Sequence, residues 1–128
     1  MPKIMVVDDQ TFIRQILRKQ LEQMQDVSIV EAANGSEAVG ILKGSPTKPD
    51  LILLDLVMPI ADGFHVLREM AQDPALFSVP VIVVSSHASQ ENITEATKHL
   101  GAVRFIDKMD LNSVDFLGVI QEELAKHA

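Results

Sequence analysis

Short apolar runs alternate along the chain with segments in which apolar residues recur every three or four positions. The apolar runs predict five strands, at residues 4–7, 27–32, 51–55, 81–84 and 103–106. The periodic segments predict five helices, at residues 11–24, between the Asn34-Gly35-Ser36 turn and Gly44, at 64–70 before the Asp73-Pro74 stop, at 90–100, and at 111–126. This alternation is typical of repeated strand-helix units around a mainly parallel sheet.

Four of the predicted strands, the first, third, fourth and fifth, are apolar through their length, so both faces of the sheet must be covered by helices. We therefore predict a doubly wound, five-stranded α/β fold. The fourth helix offers little apolar face beyond Ile93, Ala96 and Leu100, and we expect it to be the loosest element.

The composition narrows the classes of function. A chain of 128 residues with 47% apolar composition suits one domain, spanning residues 1–128. It has no apolar run near the ~20 residues that a membrane span requires and no pattern of a signal peptide, so we expect a soluble, cytoplasmic protein without membrane insertion. The absence of cysteine excludes disulfides and thiolate zinc sites, and a net charge of −7 disfavours direct binding to nucleic acid. Proteins are the expected partners.

Polar side chains follow several of the predicted strands. Asp8 and Asp9 follow the first, Asp55 ends the third, and Ser85 and Lys108 follow the fourth and fifth. The carboxyl ends of parallel strands form the binding edge of such a sheet, so we expect these residues to converge there. Three acids at one edge would repel each other unless a cation neutralised them, and Mg²⁺ prefers such oxygen ligands. Asp55 is therefore a candidate phosphoryl acceptor.

Several of these residues, and Phe105 in the fifth predicted strand, also have a simpler interpretation when taken alone. Asp8 and Asp9 could merely favour the start of a helix, Ser85 could cap one, Lys108 could be a solvated charge, and Phe105 could be a core residue. Their shared position at one edge of the sheet favours the functional interpretation.

The chain resembles the CheY-like receiver domain of two-component response regulators. The resemblance covers nearly the whole chain and rests on motifs in a fixed order: Val6-Val7-Asp8-Asp9, Asp55 through Met58-Pro59 to Asp62-Gly63, the run from Pro80 to Ser85, and Gly101-Ala102 followed by Phe105 and Lys108. It implies a flavodoxin-like three-layer α/β/α fold with strand order 2-1-3-4-5.

The resemblance also implies a function. Asp55 would accept a phosphoryl group from a histidine kinase or phosphotransfer protein. Asp9, Asp55 and the Val57 carbonyl would bind Mg²⁺ directly, and Asp8 would act mainly through water. Lys108 and Ser85 would contact the phosphoryl group. Movements of Ser85 and Phe105 would then remodel the surface of the fourth helix, fifth strand and fifth helix for a downstream target or output domain.

The chain departs from the common family pattern in several places. Met109 follows Lys108 where proline with a cis bond is common, so we predict a trans peptide and a reshaped loop, since a cis bond to a residue other than proline costs roughly 2.5–4 kcal/mol. The switch hydroxyl is Ser85 rather than threonine, and Phe105 replaces the frequent tyrosine. Val57 and His87 occupy the positions that tune the lifetime of the phosphoryl group in the family.

Three other functions are compatible with parts of this pattern. A haloacid dehalogenase-type phosphatase would need a second aspartate two residues after Asp55, where Val57 stands. A flavodoxin would offer hydroxyls and amides, not two acids, in its first loop. The predicted phosphorylated switch is not itself an enzyme. The remaining alternative is a receiver-like module that binds proteins without phosphorylation.

Overall fold

Five parallel strands form one sheet in the order β2-β1-β3-β4-β5 in a computed structural model that describes residues 1–112 and 114–127. The strands are β1 (Lys3–Val7), β2 (Ser28–Ala32), β3 (Leu51–Leu54), β4 (Val81–Ser85) and β5 (Arg104–Asp107). The predicted parallel sheet and its strand order are both confirmed. Within the described residues the strand order changes direction at β1 and β3, where parallel α/β sheets bind their ligands.

Within the described part of the chain, five α-helices and two further helical segments connect and follow the strands. They are α1 (Thr11–Leu21), α2 (Gly35–Gly44), α3 (Gly63–Ala71), α4 (Gln90–Thr94) with a π-helical continuation (Glu95–His99), a 3₁₀ turn (Lys108–Asp110), and α5 (Phe116–Lys126). Among the described residues, no helix is both long enough and apolar enough to cross a lipid bilayer.

The helices cover both faces of the sheet and make it the middle of three layers. Because side chains alternate across a strand, Met5 and Val7 join one buried cluster with residues of α2 and α3. Ile4 and Val6 join a second cluster with residues of α1 and α5. The predicted three-layer α/β/α architecture is therefore confirmed.

The fourth helix differs from the prediction of one continuous α-helix over residues 90–100. It is α-helical from Gln90–Thr94 and then widens into the π-helical segment Glu95–His99. The Leu100 amide donates to the Glu95 carbonyl at 3.0 Å, five residues back, which is the π-helical pattern. Of these two segments only Ala96 is buried, so tertiary packing holds this part of the chain weakly.

The predicted start of the fifth helix at Leu111 was wrong. Leu111 is buried in the core, but α5 begins at Phe116, because Asp115 caps it by accepting a hydrogen bond from the Gly118 amide at 3.0 Å. The 3₁₀ turn occupies part of the preceding loop, and Ser113, within the predicted helix, lies outside the described residues.

Other boundaries shift by one to three residues, as helix and strand ends often do. The first helix ends at Leu21, not Met24, and is followed by turns that include Asp26 at a positive φ of 58°. The fourth and fifth strands each extend one residue beyond the prediction, to Ser85 and Asp107.

Candidate functional site

Asp8 and Asp9 lie directly after β1, where the chain turns into α1. Asp8 is buried and its amide donates to the Ala32 carbonyl of the neighbouring strand at 3.1 Å. One carboxylate oxygen of Asp8, Oδ1, accepts a hydrogen bond from the Gln10 amide at 2.9 Å. Asp9 is exposed. One acid is therefore fixed inside the turn, and the other faces solvent.

Asp55 lies directly after β3, beside the end of β1. Val7 pairs with Leu54 in the sheet, and the Asp55 amide donates to the Val7 carbonyl at 3.0 Å. The Asp55 side chain is buried, and its Oδ1 accepts from the Leu56 amide at 2.7 Å. Neighbouring parallel strands thus bring the acids of two distant sequence motifs to one edge, as predicted.

The loop after Asp55 is held against the start of α3 by Gly63. A Cβ atom at Gly63 would lie 2.2 Å from the Asp55 carbonyl oxygen and 2.9 Å from the Leu56 Cα atom. The Gly63 amide donates to the Leu56 carbonyl at 2.9 Å, and the Asp62 side chain caps α3. Glycine is required here because the backbones approach too closely for any side chain.

Lys108 reaches the two buried acids from the far side of the sheet edge. Its Nζ atom lies 2.8 Å from Asp8 Oδ2 and 3.0 Å from Asp55 Oδ2. It also donates to Gln10 Oε1 at 3.3 Å. The ammonium is mostly buried, with 10% of the side chain exposed. The predicted meeting of Lys108 with the acids is therefore observed.

The peptide between Lys108 and Met109 is trans, as predicted. Asp107 caps the 3₁₀ turn by accepting from the Met109 amide at 3.0 Å. The Met109 side chain is 84% exposed. The loop thus directs Lys108 into the site and leaves Met109 at the surface.

The electrostatics of the site follow from burial and close charges. Burial raises the pKa of Asp8, and the nearby Asp55 charge acts in the same direction, while Lys108 and the Gln10 amide offset only part of the rise. Burial alone would lower the pKa of Lys108, but its hydrogen bonds and the charges of Asp8 and Asp55 raise it. Lys108 is therefore a firmly protonated ammonium at neutral pH.

The three acids also form a cluster suited to a cation. One carboxylate oxygen from each of Asp8, Asp9 and Asp55 lies within 4.8 Å of the others. The donor set consists of oxygen atoms, which fits a hard divalent ion such as Mg²⁺. Three carboxylates meet at this edge and the Lys108 ammonium contacts two of them, Asp8 and Asp55, so a further cation would lower the repulsion among the acids.

Ser85 is the last residue of β4 and is completely buried. Its Oγ atom accepts a hydrogen bond from the His87 amide at 3.1 Å. His87 is exposed, and its carbonyl accepts from the Asn92 side chain at 2.9 Å. The predicted switch hydroxyl therefore lies on the strand next to Asp55 and is linked through His87 to α4.

Phe105 and Val57 occupy different surroundings. Phe105 pairs with Val83 in the sheet, is half-buried, and packs against the core cluster that contains α2 and α3. Val57 lies in the loop after β3, with 50% of its side chain exposed. Both side chains are apolar, so neither takes part in the hydrogen bonds that link the acids and Lys108 among the described residues.

Two residues of the site were not predicted from the sequence. Arg14 donates to the Asp8 carbonyl, and Gln10 accepts from Lys108. The only available signal was their position in the first turns after Asp8-Asp9, because the periodicity of this segment marks its apolar stripe and not its polar face.

The parallel sheet and this edge of acids and lysine define a receiver domain, and comparison with known proteins agrees. Residues 4–114 match the family model of the response regulator receiver domain. The chain belongs to that family and is a receiver domain of two-component signalling systems.

Solved structures of response regulators are similar to this chain over nearly its whole length. The chain is similar to the phosphorylated cyanobacterial phytochrome response regulator RcpA, with 29% identity and a TM-score of 0.87 over 99% of this chain and 96% of that one. It is similar to the Mn²⁺-bound form of the response regulator Rcp1, with 26% identity and a TM-score of 0.81 over 95% of this chain and 91% of that one.

This chain also matches part of a longer relative. The protein-glutamate methylesterase/protein-glutamine glutaminase 3 of Geobacter sulfurreducens is 37% identical over 123 residues, which are 95% of this chain and 32% of the relative. The chain thus spans about a third of the length of this curated relative.

Proposed function

We propose that Asp55 accepts a phosphoryl group from a histidine kinase or phosphotransfer protein, and that the modified domain signals to a protein target or output domain. The contact of Lys108 with Asp55 at 3.0 Å carries this proposal. It places an ammonium beside a buried carboxylate, where the ammonium can also contact the negative charge of a phosphoryl group on Asp55. A structural ion pair would not require two further acids at the same edge.

The transfer itself needs positioning more than acid-base chemistry. A carboxylate oxygen of Asp55 forms the new bond to phosphorus as the bond from phosphorus to the donor imidazole nitrogen breaks. The electron pair of that bond stays on the imidazole. Lys108 then moves from the carboxylate to the phosphoryl oxygens, where an ammonium makes charge-assisted hydrogen bonds.

The acids around Asp55 fit a magnesium site. Asp9, Asp55 and the Val57 carbonyl would hold Mg²⁺ directly, and Asp8 would act mainly through water. When bound, Mg²⁺ neutralises charge on the acids and on the phosphoryl oxygens.

Ser85 and Phe105 would transmit the modification. Ser85 Oγ accepts from the His87 amide and keeps its own hydrogen to donate to a phosphoryl oxygen. Movement of Ser85 would allow Phe105 to turn inward. The surface formed by α4, β5 and α5 would then shift toward its signalling conformation. The weakly packed α4 supports this role, since none of its residues is buried.

Val57 and His87 would set the lifetime of the phosphoryl group. Val57 is half-exposed in the loop after Asp55, and His87 is exposed beside Ser85. An apolar side chain at the first position would hinder water, and an imidazole at the second would shield the phosphoryl group or orient water.

The domain would act as a switch and not as an enzyme on other substrates. It would assist only its own phosphorylation and dephosphorylation. We propose that residues 1–128 act as one receiver domain in the cytoplasm, and that its partners are proteins and not nucleic acid or membrane, in keeping with the net charge of −7.

The decisive experiment is intact-mass measurement after incubation with acetyl phosphate and Mg²⁺. The native chain should gain one phosphoryl group, and Asp55→Asn should gain none. Asp26→Asn is a matched control, because Asp26 is exposed and its positive φ of 58° suits asparagine. This control should be modified like the native chain.

The alternative outcome has a clear meaning. A native chain that gains no mass with the metal present would favour the phosphorylation-independent binding module. Equal gain by the native chain and Asp55→Asn would place the phosphoryl group on another residue and contradict the proposal.

A further inference from the structure

Arg14 ties the turn between β1 and α1 to the neighbouring strand. Its Nη1 donates to the backbone carbonyl of Asp8, and its Nη2 lies 3.4 Å from Thr11 Oγ1. Its Nε donates to Glu31 Oε1 on β2 at 3.0 Å. Only 15% of the Arg14 side chain is exposed. All three guanidinium nitrogens therefore have partners, and each partner lies on a different segment.

Glu31 fixes the orientation of this guanidinium. It pairs with Val6 in the sheet, one strand away from the site. Its second oxygen, Oε2, accepts from Arg18 Nε at 3.0 Å and Arg18 Nη2 at 2.8 Å. The hydrogen bonds from Arg18 and Arg14 lower the pKa of Glu31, so it stays ionised and balances part of their charge.

The hydrogen bond to the Asp8 carbonyl restrains the turn between β1 and α1. This carbonyl belongs to the peptide that joins Asp8 to Asp9, and a peptide group is planar. The orientation of that plane therefore constrains the backbone that carries both acids. Gln10, at the start of α1, makes no side-chain capping bond. The hydrogen bond from Arg14 thus holds the turn from the helix side.

We propose that Arg14, oriented by Glu31, is a positioning residue that holds Asp8 and Asp9 in the arrangement that binds a divalent cation. The inference rests on the proposed metal site and extends it to two residues outside the acidic cluster. Outer contacts that orient ligands typically change metal affinity 10- to 100-fold when they are removed.

Charge and geometry predict opposite results, which makes the proposal testable. If Arg14 acted only as a nearby positive charge, its removal would strengthen cation binding. If it positions the acids, its removal weakens binding. Arg14→Lys keeps the charge but cannot reproduce the planar fork that reaches several acceptors together.

The probe is Mn²⁺ alone, with free Mn²⁺ measured by electron paramagnetic resonance in the full chain without a phosphodonor. Arg14→Lys and Arg14→Gln should each bind Mn²⁺ about tenfold more weakly than the native chain. Arg18→Lys is the matched control, because Arg18 also donates to Glu31, and none of its hydrogen bonds within the described residues reaches Asp8. It should bind within about twofold of the native chain.

Equilibrium unfolding of each variant separates positioning from loss of structure. A structural role alone predicts that affinity follows stability across the Arg14 and Arg18 variants, and that result would overturn the proposal. Unchanged or tighter binding by either folded Arg14 variant would also overturn it. If the native chain binds no Mn²⁺, the metal site itself fails, and the positioning role fails with it.

Discussion

The Lys108 ammonium lies 3.0 Å from Asp55 Oδ2, although the two residues are 53 positions apart in the chain. The same ammonium lies 2.8 Å from Asp8 Oδ2. One cation from the end of β5 thus serves two buried acids from β1 and β3. Without bound metal, this shared contact is what offsets the repulsion between the acids.

Replacing Lys108 by methionine should therefore destabilise the metal-free protein at neutral pH. The free energy of unfolding should fall by about 2 kcal/mol. This is less than the usual cost of leaving a buried charge unpaired, because the acids can bind a proton instead. Urea denaturation measures it. Lys43→Met is the control, since the Lys43–Glu69 pair is partly exposed to solvent and its removal should cost much less. Equal losses would mean that the buried contact is not special.

Gly63→Ala should destabilise the domain by at least about 2 kcal/mol. The new Cβ atom would meet the Asp55 carbonyl oxygen at 2.2 Å, so the loop that carries the site must shift. Gly40→Ala in α2 is the same change with no atom within 4 Å, and should stabilise the protein by about 0.5–1 kcal/mol. Thermal or urea unfolding of the two variants should therefore shift in opposite directions.

Ser85→Ala should separate phosphorylation from its structural consequence. Asp55 and Lys108 remain in place, so intact mass should still show modification. The phosphorylation-dependent chemical-shift changes around Phe105 and α4 should largely disappear, since the buried hydroxyl is the expected donor to the phosphoryl group. Ser86→Ala alters an exposed neighbour and should respond like the native chain. A full response by Ser85→Ala would exclude the hydroxyl as the switch.

Backbone amides in the π-helical segment Glu95–His99 should exchange with solvent faster than those of α3. In the π-helical segment only Ala96 is buried, whereas α3 buries four residues, so local opening should cost less free energy in the former. Hydrogen exchange of the unmodified chain should show protection at least about tenfold lower there. Equal protection would contradict the assignment of this region as the loose element.

Glu123 gives stability a defined pH dependence. Its burial would raise its pKa, but the hydrogen bond from Arg104 and the charge of Lys126 lower it overall. A carboxyl group with a lowered pKa adds stability above its unfolded pKa, about 4.3, and that stability is lost as the pH falls through the folded pKa.

Glu123→Gln should therefore be less stable than the native chain at pH 7, by about 1.5 kcal/mol for charge-assisted hydrogen bonds to a partly exposed arginine. The difference should shrink as the pH falls below about 4.3. Urea denaturation across this range measures it. Glu122→Gln removes an adjacent acid that is half-exposed, and should change stability by less than about 1 kcal/mol. A difference that persists in acid would assign the effect to packing.

The sequence by itself determined that strands and helices alternate and the order in which they follow one another. The apolar runs around Met5, Leu53 and Val83 had to be buried on both faces, which required helices on each side of a parallel sheet. Because parallel strands end at one edge, the positions of Asp8 and Asp55 after their strands already predicted that they would converge. These features are local in the chain, or follow directly from the geometry of a parallel sheet.

Only the tertiary structure decided which side chains meet and where the elements end. The contacts of Arg14 with Asp8 and Glu31 depend on how α1 lies across two strands, and no periodicity records that arrangement. The late start of α5 depends on the Asp115 cap, and the apolar pattern does not record the π-helical hydrogen bond from Leu100 to Glu95. The physical reason is that polar contacts form between residues brought together by the buried core, whereas the core pattern alone specifies burial and not polar partners.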